Sequence, residues 1–108
     1  MTQTPAADWL ADHQWCTREW GFCDNGKRWQ PGDPKIPKGA CMLGAIAHVH
    51  NWTIEQANIK SVEIAKFMGL QVPEGAEACA AITEWNDAQT SKELVLSMLR
   101  DIEENLYA

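Results

Sequence analysis

No run of apolar residues in this 108-residue sequence approaches the ~18 that a membrane-crossing helix needs, so no membrane partner is expected. Basic charge is scarce too. Nine Lys and Arg stand against fifteen Asp and Glu, a formal net charge of −6. Duplex nucleic acid demands clustered cations to displace its counterions, so nucleic acid is not expected as a ligand. Met1 to Leu10 hold no basic stretch followed by an apolar one, so no signal peptide is expected and the cytoplasm is the default compartment. Thiols stay reduced there. The four cysteines, Cys16, Cys23, Cys41 and Cys79, are then free thiols, metal ligands or core residues rather than a disulfide framework. The sequence also lacks a Gly-rich phosphate loop, a Gly-x-Ser-x-Gly elbow and a His-Glu-x-x-His pair. Repeats and low-complexity segments are absent.

What is present is ordinary globular material with one excess. Apolar residues make up 45% and charged residues 22%, and the length fits a single domain, residues 1–108. The excess is tryptophan. Trp9, Trp15, Trp20 and Trp29 fall early, and Trp52 and Trp85 follow. Each combines large apolar area with one N–H donor, which suits cores and interfaces alike. The negative charge is one-sided. Residues 1–54 hold five acids and five bases, whereas residues 55–108 hold ten acids and four bases. That distribution reads as a solvated helical surface or as an acidic face for a basic partner.

The pattern predicts a mainly α fold, a single-domain bundle of about five helices with a small β-hairpin insertion after the first helix. Thr4-Pro5 starts a helix over 5–14, with Thr4 as cap and Pro5 at the first position. Residues 16–39 form the insertion, a hairpin and irregular loop turning at Asn25-Gly26, where both turn positions would take positive φ. A helix over 41–50 carries Met42, Leu43, Ile46 and Val49 on one face, with Gly44, Ala45 and Ala47 allowing close packing. Thr53-Ile54-Glu55-Gln56 is a capping box for a helix over 54–68 that stops at Gly69. A shorter helix covers 77–85. Thr90-Ser91-Lys92-Glu93 reads as a second capping box for a helix over 91–106. Its stripe is Leu94, Val95, Met98, Leu99, Ile102 and Leu106, with Leu96 and Tyr107 off it.

Three groups of residues could carry function. Cys41 stands at a helix start, where the positive helix end would lower a thiol pKa as cysteine hydrolases require. His13, oriented by Asn86 or Asp87, is the candidate base, since His48 lies two turns along the same helix. The alternative is a buried cysteine packing as a small hydrophobe. His13, Cys16, Cys23 and Cys41 are together four soft ligands for a structural zinc, although paired Cys-x2-Cys knuckles are missing. Trp85-Asn86-Asp87 reads as a corner between helices, or as polar groups beside a pocket floored by Trp85. Ile59 and Phe67 point away from their helix's apolar face, and Glu63 and Glu104 lie on acidic faces. These four suit contact with another protein.

Trp15, the Gly26 loop, Cys41-Met42-Leu43-Gly44-Ala45-Ile46, Trp85-Asn86-Asp87 and Thr90 with Glu93-Leu94-Val95 form a pattern over most of residues 6–106. It resembles a family of small, functionally uncharacterised proteins from actinobacteria and their phages. That resemblance implies such an origin and no known activity. Cys41 matches the family pattern, whereas Cys16, Cys23 and Cys79 do not, which weakens zinc as a shared feature. The resulting expectation is a small phage-encoded accessory protein that binds a host protein in the cytoplasm to modulate host physiology or defence. No cofactor is implied, self-association is open, and a Cys41 hydrolase and a zinc-stabilised interaction module stand as alternatives.

Overall fold

In a computed structural model, which describes residues 3–107, five helices surround one core beside a small sheet. Helix α1 spans Pro5–Ala11 and is followed by β1 (Gln14–Trp15), β2 (Gly21–Phe22), β3 (Arg28–Trp29) and β4 (Gly39–Ala40). Helices α2 (Met42–Val49), α3 (Ile54–Met68), α4 (Ala78–Ala88) and α5 (Lys92–Leu106) complete the chain. The five helices are as expected, but the insertion is more than a hairpin. Its strands form a four-stranded sheet in the order β1-β4-β2-β3, with β1 parallel to β4 and both other pairings antiparallel. Each strand has two residues, too few for any alternation of apolar and polar positions to show. Forming β1 also shortens α1, which ends at Ala11 rather than at residue 14.

The ribbon turn differs from its expected type. Gly26 has φ 79°, but Asn25 is not among the residues of positive φ. The Gly26 N–H donates to the Cys23 carbonyl at 2.9 Å and the Cys23 N–H to the Lys27 carbonyl at 2.9 Å. This is a three-residue loop, a turn followed by a left-handed glycine. The Asn25 side chain instead accepts the Lys27 N–H at 3.0 Å.

Strand β4 runs through Cys41 directly into α2, the central helix. Met42 to Ala47 are all buried, so this helix is apolar on every side, as an interior helix must be. Around it pack Leu10 of α1, Ile64 of α3, Ile82 of α4, and Val95, Leu96, Leu99 and Ile102 of α5. Gly44 is required by a close approach. A Cβ there would collide with the Trp20 carbonyl, the same oxygen that accepts the Cys41 N–H at 3.0 Å.

Caps decide the helix boundaries. The Thr53–Gln56 box is present in both directions, and α3 closes at left-handed Gly69 with the Leu70 N–H on the Ala65 carbonyl at 3.0 Å. The second box is not formed. Ser91, not Thr90, is the cap position of α5, and its side chain makes no capping bond. The expected stripe of α5 is also rotated. Leu94 is half exposed at 50%, whereas Leu96 is buried at 3%. Thr4 is at the cap position of α1 without a side-chain bond, and that role passes to Glu103.

Candidate functional site

Cys41 caps α2. Its Sγ accepts the Gly44 N–H at 3.2 Å, and the residue is 2% exposed. Two effects compete at this thiol. The hydrogen bonds of the helix start favour the thiolate, and burial disfavours it. Burial is the larger, and it raises the pKa to about 11, with the Asp87 carboxylate adding to the rise. The expected lowering at the helix start is therefore overturned by desolvation. Cys41 borders a hollow of about 140 Å³ with Arg18, Glu19, Trp20 and Thr83. His13 is engaged elsewhere. Its ring stacks on Trp9 with centroids 4.0 Å apart, and its Nδ1 meets the Trp9 carbonyl at 2.6 Å.

The metal quartet is not assembled. Among the described residues, no group of three or more His, Cys, Asp or Glu is gathered to hold an ion. Cys23 is buried at the ribbon turn. Cys16 lies beside Cys41 across the β1–β4 pair, with its N–H on the Ala40 carbonyl at 3.1 Å. Burial first, and the neighbouring Cys41 second, push the Cys16 thiol up to about 12.

Trp85-Asn86-Asp87 does not end a helix, because α4 continues to Ala88. Asn86 is fully buried and all its hydrogen-bonding capacity is used. Its Oδ1 accepts the Trp15 indole N–H at 2.8 Å and the Met42 N–H at 3.0 Å. Its Nδ2 donates to the Cys16 carbonyl and to Asp87 Oδ1, both at 3.1 Å. Asp87 Oδ1 also accepts the N–H of Arg18, whose φ of 69° is left-handed. One amide thus joins α4, β1, the β1–β2 connection and the start of α2. Trp85 does border a hollow of about 260 Å³, but with Leu70, Gln71, Ala81, Glu84 and Ala88, not with Asn86 or Asp87.

A second polar group was not singled out in the sequence. Glu103 is fully buried in α5, and its carboxylate caps α1, accepting the N–H groups of Ala6 at 2.9 Å and Ala7 at 2.8 Å. Burial raises its pKa, against the pull of those two bonds and of His50, whose Nε2 lies 3.8 Å away. His50 stacks on Trp52 and lies tilted against Tyr107, with centroids 5.5 Å from each. Glu103 follows Leu96 by seven residues and Leu99 by four, a carboxylate on an apolar face. That placement was the available signal.

The outer face of α3 is the surface the sequence indicated. Ile59 is 66% exposed and Val62 63%, and Phe67 is partly exposed. Val62 also lines a groove of about 260 Å³ with Ala65, Lys66, Leu70, Val72 and Ala76. Glu63 pairs with Lys60 at 3.8 Å and accepts the Tyr107 hydroxyl, and Glu104 is exposed on α5. The described residues thus combine buried polar ties inside with one partly apolar helix face outside.

These features define a small, mainly helical domain held by buried polar ties, with a minimal sheet. A family of unknown function, DUF6197, matches residues 4–105, and the chain belongs to it. No curated protein and no solved structure matches the chain.

Proposed function

We propose that this is a small non-catalytic protein that acts by docking on another protein through the outer face of α3 and its groove. The exposure of Ile59 and Val62 side by side on one helix supports this reading most. Branched apolar side chains left in water beside an apolar groove are the usual mark of a contact surface. The resemblance to proteins of actinobacteria and their phages makes a host cytoplasmic protein the expected target, and modulation of host physiology or defence the expected outcome. The hydrolase alternative is opposed by the burial and raised pKa of Cys41. The zinc alternative is opposed because, among the described residues, no three of its ligands gather at one point.

The test is capture from host lysate with tagged protein and two variants. The doubly substituted Ile59→Asp, Val62→Asp chain loses the captured protein, and Asp24→Lys at the ribbon turn keeps it. Equal capture by all three chains sinks the reading.

A further inference from the structure

We infer that a second copy of this chain occupies the α3 face, the two α3 helices lying antiparallel about a two-fold axis that runs between them, level along α3 with the midpoint of Lys60 and Ser61. The inference rests on the docking-face reading above and gives that face its occupant in the free protein, a copy that a host protein would displace. Glu55, Ile59, Val62 and Lys66 are all exposed. Their spacing of four, three and four residues puts them on one stripe, within roughly 60° of arc at ~100° per residue. An acid stands at one end, a base at the other, and two branched apolar residues between them. Reflection about the midpoint of Lys60 and Ser61 exchanges Glu55 with Lys66 and Ile59 with Val62. An isologous contact requires such self-complementarity. In that register each Glu55 faces Lys66 of the second copy, and each Ile59 faces Val62 of the second copy at the rim of its groove.

Two further observations favour a copy over an unrelated protein. Among the described residues, Glu55 and Lys66 form no ion pair within the chain, while Lys60 and Glu63 on the adjacent stripe pair with each other. The stripe is also neutral, one acid and one base, in a half of the sequence that carries the whole net charge of −6. Two copies can meet there without stacking like charge on like. The contact is small. Helix α3 has 15 residues, about 22 Å, so a pairing confined to it falls short of the ~1,600 Å² of a standard interface. A dissociation constant on the order of 10–100 μM is expected.

Sedimentation equilibrium over a wide concentration range tests this. The native chain dimerises, and Ile59→Asp is monomeric. Glu55→Lys alone sets two Lys66 residues against new lysines, and Lys66→Glu alone sets acid against acid. Each weakens the dimer by roughly tenfold or more. The double variant Glu55→Lys, Lys66→Glu rebuilds both pairs and returns to within about threefold of native. All four positions face solvent, and circular dichroism checks the fold. If Ile59→Asp does not fold, the charge exchange is the decisive test. A chain monomeric throughout, a dimer indifferent to these changes, or a double variant that fails to recover overturns the inference. A monomeric native chain whose α3 variants still lose a captured lysate protein overturns the self-pairing alone. Loss of neither overturns the docking reading as well.

Discussion

Asn86 and Cys41 show what a single buried side chain can decide. The Asn86 amide satisfies groups on three other segments, so deleting it strands buried partners instead of removing one bond. Asn86→Ala should lower unfolding free energy by about 3–5 kcal/mol, and Asp87→Ala by about 1 kcal/mol. Urea melts of the two variants check this, and similar losses would mean the amide is no hub. Cys41 and Cys16 make stability depend on alkaline pH. Their folded pKa values, about 11 and about 12, exceed the ordinary 9.0 of a thiol. Above pH 9 the unfolded chain releases protons that the folded chain retains, so stability falls as pH rises toward 11. Cys41, the fully buried thiol, contributes up to about 1.4 kcal/mol per pH unit in that window, and the partly exposed Cys16 contributes less because solvent screens it. Melting temperature from pH 8 to 11 should therefore drop less steeply in Cys41→Ala than in the native chain. Parallel curves would show that the thiol ionises freely in the fold.

At the scale of elements, local signals were readable where both partners of an interaction lie within one turn. The Thr53–Gln56 box, the Gly69 stop and the outward placement of Ile59 and Phe67 were of this kind. The second box failed although its residue pattern is as good, because the helix begins one residue later, at Lys92. Lys92 instead reaches the Ala11 and His13 carbonyls at 3.1 and 2.6 Å, closing the end of α1 from outside. Thr53→Ala should therefore cost about 1 kcal/mol, whereas Thr90→Ala should be within about 0.5 kcal/mol of native. Thermal melts of the pair distinguish the two caps, and equal losses would restore Thr90 to the capping role. Strands β2 and β3 were legible from the turn they flank, whereas β1 and β4 were illegible for a different reason. Each pairs two residues with partners up to 25 positions away, and tertiary hydrogen bonds, not periodicity, create them.

Across the whole molecule, the features that join distant segments were the least legible. The Cys-Met-Leu-Gly-Ala run and Trp85-Asn86-Asp87 stood out in the sequence, but their meaning depends on each other. The Asn86 side-chain Oδ1 accepts the Met42 N–H, and the Gly44 gap admits the Trp20 carbonyl. Glu103 is the extreme case, a cap supplied from 97 positions away. Glu103→Ala should leave the Ala6 and Ala7 N–H groups and His50 without their carboxylate, lowering stability by about 2–4 kcal/mol. Glu103→Gln, which keeps one acceptor oxygen, should lose less. Denaturant melts rank the two. The raised pKa adds a sign to the comparison. The folded state holds this proton to higher pH than the unfolded state, so the carboxylate's contribution declines as pH rises through its ordinary range and the one just above it. The native advantage over Glu103→Gln should shrink across that window.

The Glu103 tie also sets an order of events during synthesis. Helix α1 is translated first among the helices, yet the group that completes its first turn arrives 97 residues later. At the 5–20 residues per second of a ribosome, that interval is roughly 5–20 s. Throughout it the first turn of α1 lacks its cap, and Trp9 and Leu10 lack the α5 side of the core even once α2 has been made. The opening helix is thus the last to be secured, and a ribosome that stalls before Glu103 displays an unfinished apolar segment to whatever chaperone stands at the exit.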